Sequence, residues 1–432
     1  MAKKSIKLSA LCMAIIMCLA MIAGCTGTPA TTSPTNTPTT ASTTGGGTEP
    51  TKTFKIGFIA SLTGTFAANS LAMKEGVELF LEERNYQIGD YKIEVVYEDD
   101  EGSVETSLNK ARKLVDMDKV DMIYGPLLAN AGLAIGEYCD ANKVLNLTPV
   151  VSAEDVTQRK SSPYIIRTGW SSALSNHPFG EWAYDQGYRK VATIAYDFAF
   201  GHEVVAGFHR TFQEKGGTIV QKLWPATGTQ DFAPFLAQIP KDVDAVYANF
   251  SGADSLRFIK QYQEFGFKDI PLLGGATTVD EHVLPQMGDE AIGVVSALHW
   301  APTLDTPECK AFVEAYNKKY GKGDPSYYCD ATYSGLVFLE TGLLKAGGIE
   351  DIEKFTNAIK ETPMVAARGP MSLDEYNCVV ENVYIRVVEK VDGKLQNTVI
   401  KTYENVSQFW TYGAEEFLKN PVYDRDFPAL NK

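Results

Sequence analysis

Positive charge is scarce in this chain of 432 residues: 40 Lys and Arg face 54 Asp and Glu, a formal net charge of −14. Three of those lysines lie in the first 24 residues, which hold no acid, so the remainder carries 37 − 54 = −17. Such a balance excludes nucleic acid or an anionic membrane surface as the main partner. Cysteine is also sparse, seven in all with no CxxC pair, which excludes a zinc knuckle. The five histidines, at 177, 202, 209, 282 and 299, are scattered. His202-Glu203-Val204-Val205-Ala206 starts like a zinc-protease helix, but Ala206 stands where the second ligand is needed. No phosphate-cradling GxxxxGK[ST] loop and no GxSxG nucleophile elbow occurs. The carboxylates of residues 98–101 lack the spacing of a calcium loop and read as a solvated strand end. No enzyme, metal or cofactor is expected.

What is present begins with an address. Lys3, Lys4 and Lys7 precede an apolar stretch of 16 residues, 8–23, shorter than the roughly 20 that span a bilayer. Ile22-Ala23-Gly24-Cys25 follows, in the manner of a bacterial lipobox, so residues 1–24 read as a lipoprotein signal and Cys25 as the acylated residue. Residues 26–53 include 13 Thr, several Pro and Gly45-Gly46-Gly47. Such a segment cannot bury enough apolar surface to order itself and serves as a tether. The chain is therefore expected outside the cytoplasmic membrane, held to it by lipid. Cys139, Cys309, Cys329 and Cys378 remain in the body, as four buried thiols or with one disulfide.

From residue 54 onward strand-like and helix-like segments alternate. Strands are expected at 54–60, 91–98, 120–124 and 144–148, with amphipathic helical stretches between them. The pattern restarts at 190–196, 218–223, 245–250, 271–275 and 292–300, then gives three helices between 307 and 360. Two late strands, 382–390 and 395–402, flank an Asp392-Gly393 hairpin turn. Strands separated by helices argue for parallel α/β sheets, and the restart argues for two lobes. In such sheets ligands sit beyond the carboxyl ends of the strands, where small and hydroxyl residues crowd the loops.

The order of motifs is specific. Ile56-Gly-Phe-Ile-Ala-Ser-Leu-Thr-Gly64, Asp99-Asp100, Ala111-Arg-Lys-Leu-Val115 and Met122-Ile-Tyr-Gly-Pro126 resemble the Leu/Ile/Val-binding protein family. Tyr164-Ile-Ile-Arg-Thr168, Gly228-Thr-Gln-Asp-Phe232 and Arg368-Gly-Pro370 continue the match in the same order. The resemblance implies an α/β, type I periplasmic binding protein fold: two Rossmann-like lobes, a hinge of three crossovers and a ligand cleft between them. It places the first lobe at 54–169 plus 302–375 and the second at 170–301 plus 376–432. It implies a monomeric solute receptor that closes on a small molecule and presents it to the permease subunits of an ABC importer.

Departures from the family pattern bear on the ligand. The Tyr usual before Gly201 is Phe200, without a hydroxyl, and Ala276 stands where an acid commonly meets a ligand ammonium. Asp280 is near enough to shift that alignment. An ammonium buried without a carboxylate costs several kcal/mol, so an aromatic or hydrophobic carboxylate is expected in preference to an amino acid. The sequence is similar to the aromatic-acid-binding branch across 192–201 and 224–232. The residues expected at the ligand are Phe66, Ala129, Asn130, Val151, Ser152, Trp170, Phe200, Phe250 and Thr277. Alternatives are a branched-chain amino acid, with Asp280 or Asp197 supplying the charge, or a receptor feeding a sensory system.

Overall fold

The computed structural model describes residues 50–430; the signal, Cys25 and most of the Thr-rich tether lie outside the described residues. The first strand, β1 (Lys52–Ala60), is buried from Ile56 onward and leads through a short turn into α1 (Ala67–Glu83). β2 (Gln87–Ile88) and β3 (Tyr91–Asp99) form a small antiparallel pair, and β3 runs parallel beside β1. α2 (Val104–Asp116) starts at Ser103, whose hydroxyl accepts the Thr106 amide, and carries Glu105 and Lys113 at the ends that suit the helix dipole. β4 (Met122–Tyr124), α3 (Ala129–Asn142), β5 (Leu145–Thr148) and β6 (Ile165–Arg167) complete a sheet of order β2-β3-β1-β4-β5-β6.

The second sheet takes up the chain after α4 (Asn176–Asp185). β7 (Lys190–Ala195), α5 (Ala199–Glu214), β8 (Thr218–Leu223), α6 (Ala233–Leu236), β9 (Ala245–Asn249), α7 (Ala253–Tyr262), β10 (Leu272–Gly274) and β11 (Val295–Leu298) form its parallel part, in spatial order β8-β7-β9-β10-β11. α8 (Pro307–Tyr320), α9 (Tyr327–Ala346) and α10 (Ile352–Lys360) then return to the first lobe, where α9 packs along α1. β12 (Met364–Ala366) and β13 (Gly369–Leu373) hydrogen-bond into the second sheet through β14 (Val379–Val391), yet Met364, Ala366 and Met371 pack in the first core. β14 pairs antiparallel with β11 and with β15 (Lys394–Val406). Asp392 (φ 52°) and Gly393 (φ 81°) turn between them, the two left-handed residues that a two-residue hairpin loop requires.

Arg368, which is fully buried, ties elements of the two lobes together. Its guanidinium reaches Glu381 on β14 at 2.9 Å, Asp330 on α9 at 3.0 Å and the carbonyl of Thr168 in the first crossing at 3.3 Å. Beyond β15, α11 (Ala414–Leu418) and Tyr423 lie over α4 and α5: Phe409, Phe417 and Tyr423 bury against Ala173 and Ala206, and Tyr423 Oη meets His177 Nε2 at 2.9 Å.

One expectation resolves differently: the acidic run that ends β3 is not a solvated strand end. Asp100 is fully buried and accepts from Ser61 Oγ at 2.6 Å and Ser107 Oγ at 2.8 Å, while Glu98 pairs with Lys110 and Lys113. These carboxylates brace the loop that follows β1. The four body cysteines are buried and unpaired. No helix among the described residues is long and apolar enough to cross a membrane.

Candidate ligand-binding cleft

The carboxyl ends of both sheets face one another across a cleft, and the loops there line a partly open cavity of about 410 Å³. The first lobe contributes Phe66 from the turn before α1, Leu127, Leu128 and Ala129 at the start of α3, and Val150 and Ser152 after β5. Trp170 comes from the first crossing, and Tyr196, Phe198, Phe200 and Ser251 come from the second lobe. Tyr327 and Tyr328, at the start of α9, close the remaining side.

Local sequence explains how these residues converge. α5 begins tight against the end of β7, since a Cβ on Gly201 would lie 2.1 Å from the Tyr196 carbonyl oxygen. That close approach sets Phe198 and Phe200 over the cleft. Trp170 is 1% exposed, and its ring meets Phe200 edge-on at 5.9 Å and Tyr327 edge-on at 6.0 Å. Aromatic faces and edges from three separate elements thus surround a narrow slot.

Polar groups in the slot are few. Ser152 is 5% exposed; its carbonyl accepts from Ser172, but its hydroxyl has no hydrogen-bond partner among the described residues. The first-turn amides of α3 and α5, at Ala129 and Phe200, lack intrahelical acceptors. Ser251 Oγ instead bridges the lobes, accepting from Asn69 Nδ2 at 2.9 Å and meeting Tyr328 Oη at 3.0 Å. Tyr196 Oη donates to Asp254 at 3.0 Å and accepts from the Ser251 amide at 3.1 Å.

Among the described residues, no Asp, Glu, Lys, Arg or His lines the cavity. Asp280 is fully buried and spent elsewhere: its carboxylate accepts from Ser326 Oγ at 2.8 Å and the Tyr327 amide at 3.2 Å, and pairs with His282. Burial opposes its charge, but the His282 imidazole and the Ser326 hydroxyl prevail and hold the carboxyl at about 2. It caps α9 from the opposite lobe. Asp197 faces outward, bonded to His202 at 2.9 Å and Arg425 at 3.0 Å.

Of the residues expected from sequence, Phe66, Ala129, Ser152, Trp170 and Phe200 line the cavity. Asn130 lies just outside it, in a vestibule that also holds Thr63 and Asp197. Phe250 does not reach the cavity: it is fully buried in the second-lobe core, with its ring 5.1 Å from Phe232 and 4.8 Å from Phe258. Thr277 commits its hydroxyl to the Phe250 carbonyl at 2.6 Å. Val151 turns away against α3, where Gly132 leaves room for it; a Cβ there would lie 2.2 Å from Val151. Sequence reasoning missed Leu127, Leu128, Val150, Tyr196, Ser251, Tyr327 and Tyr328. The signal for the tyrosine pair was the Ser326 cap that turns both toward the cleft, its hydroxyl accepting the Tyr328 amide at 3.1 Å.

A cleft of this form between two α/β lobes is matched at the level of sequence. Residues 53–394 fit the model of a family described as periplasmic binding protein. The chain belongs to that family. Leu/Ile/Val-binding protein homolog 6 of Brucella melitensis is 30% identical over 359 residues, covering 81% of this chain and 91% of that one. A solute binding protein of an ABC transporter from Rhodopseudomonas palustris BisB5, solved with 3,4-dihydroxybenzoic acid, is 32% identical with a TM-score of 0.78, covering 82% of this chain and 98% of that chain. A second R. palustris solute binding protein, solved with 4-hydroxybenzoate, is 30% identical, also with a TM-score of 0.78, over 83% and 98% of the two chains. This periplasmic binding protein is therefore a solute-binding component of an ABC transporter and not an enzyme, and its family implies an exported location. The type I fold, with two α/β lobes and mixed sheets, is shared with those structures.

Proposed function

We propose that this binding protein captures a small aromatic carboxylate by lobe closure and delivers it to the permease of its importer. The observation that carries the reading is the absence of any charged side chain from an aromatic-lined cavity whose nearby acid, Asp280, is used to cap α9. An α-ammonium entering this slot would lose its hydration without gaining a counter-charge. A carboxylate fares better. The unpaired Ser152 hydroxyl and the first-turn amides of α3 and α5 are donors without acceptors, and helix N-termini favour negative charge. The aromatic walls suit a planar ring. The solved neighbours holding dihydroxybenzoic acid and 4-hydroxybenzoate support the same reading.

A branched-chain amino acid is the second reading, favoured by the names of the Brucella relatives. A thermal-shift panel separates the two. Benzoate and 4-hydroxybenzoate at 100 times their Kd are expected to add roughly 2.7 kcal/mol of stability, with leucine, valine and phenylalanine adding none. Stabilisation by leucine or valine alone would overturn the aromatic reading. We further place the protein on the outer face of the membrane through acylated Cys25, with the segment before β1 as its tether; residues 52 and 53, expected in the tether, belong to β1 and pair with β3. Cys25→Ser is expected to shed the protein into the medium; retention in the membrane fraction would contradict the anchor.

A further inference from the structure

Three residues stand between this partly open cavity and the neighbouring space. Phe66, Leu128 and Phe198 line it on one side and, on the other, line a larger vestibule of about 890 Å³. Each is only half-buried, whereas Trp170, Tyr196 and Tyr327 on the remaining sides are fully buried. Phe66 and Leu128 belong to the first lobe and Phe198 to the second, so the wall is complete only when the lobes are together. Phe198 is held by its neighbours, with its ring 5.4 Å from Tyr196 and 6.1 Å from Phe200.

We propose that Phe66, Leu128 and Phe198 form a length-setting wall that restricts this protein to single-ring acids. The inference rests on the aromatic-carboxylate reading above and adds what limits the ligand. Toward the vestibule a longer acid must displace these three side chains or prevent the lobes from meeting; Trp170, Tyr196 and Tyr327 on the other sides are packed core, and the half-buried Phe200 is backed by Trp170 and Phe198. The vestibule beyond is polar and acidic, with Thr63, Asn130, Glu101 and Asp197. It offers little to an apolar extension, and the exposed Glu101 disfavours a second carboxylate, Asp197 being paired with Arg425.

The test is calorimetric titration of the full-length protein with benzoate and biphenyl-4-carboxylate, in the wild type, Phe198→Ala, Leu128→Ala and the bulk-conserving Phe198→Leu. The wild type is expected to prefer benzoate at least a hundredfold. Phe198→Ala should raise the biphenyl-to-benzoate affinity ratio tenfold or more, Leu128→Ala should move it the same way, and Phe198→Leu should leave it within about threefold. Thermal melting of each variant checks the fold, and two independent truncations guard against one that does not fold. Unchanged ratios in the alanine variants, or a wild type that binds both acids equally, would overturn the wall. A wild type that binds neither acid would remove the aromatic reading and the wall with it, an outcome told apart by the lost benzoate signal.

Discussion

At the scale of single residues, the ligand argument turns on side chains that are available and side chains that are not. Ser152 and Asp280 are both buried and polar, but Asp280 is enclosed by Ser326, the Tyr327 amide and His282, while the Ser152 hydroxyl has no partner among the described residues. Ser152→Ala is therefore expected to weaken benzoate binding by about 1–2 kcal/mol, roughly five- to thirtyfold, with little change in the melting temperature of the unliganded protein. Titration calorimetry checks this, and equal affinity in the two proteins would remove Ser152 from the site. The same distinction explains which residues were legible in sequence. Trp170 and Phe200 sit at a crossing and at a helix start, positions the motif order fixes. Phe250 sits at an equally suggestive strand end, but its ring turns into the core among Phe232 and Phe258. No local pattern says which way such a ring will turn.

At the scale of elements, long periodic segments were readable and short ones were not. The helical stretch expected between the strands at 120–124 and 144–148 is α3, and the strand at 218–223 has the bounds its sequence suggests. β6, β12 and β13 have five residues at most and draw their stability from neighbours in the sheets, so they carry little pattern of their own. Tertiary burial also sets the charge state where the loop after β5 meets α5. Glu203 accepts from the Glu154 amide at 3.2 Å with one carboxylate oxygen, and the other has no hydrogen-bond partner among the described residues. Burial and the neighbouring Glu154 push the Glu203 carboxyl well above its ordinary range. Glu154 itself is pushed up to about 7 by burial, against the opposing pull of the Ala173 amide and Arg167, with Asp155 adding a small upward push. The folded protein thus keeps a proton on Glu203 that the unfolded chain releases above about pH 4.3. Stability from this group falls as pH rises from there toward the raised folded value, by up to about 1.4 kcal/mol per pH unit. Glu203→Gln keeps the shape without the titration, so its urea midpoint is expected to fall less than the wild type's between pH 5 and pH 8. Parallel declines would show that Glu203 does not hold the extra proton.

At the scale of the whole molecule, closure is built from contacts that exist only with the lobes together. Asp280 of the second lobe caps α9 of the first, and Asn69 and Tyr328 meet at Ser251. A ligand favours this form only by the affinity it has for the closed cleft over the open one. The two-lobed plan was legible because the strand–helix alternation restarts near residue 190. Tyr327 and Tyr328 were not, since α9 follows β11 by a long return and reaches the cleft through tertiary packing alone. The central claim is that the closed cleft accepts a carboxylate and rejects an ammonium. Phenylacetate and phenylglycine share a ring, a carboxylate and their length, and differ only in the ammonium. Titration calorimetry of the two at neutral pH is the most direct measurement: phenylacetate is expected to bind at least a hundredfold more tightly, and equal or tighter binding of phenylglycine would contradict the account.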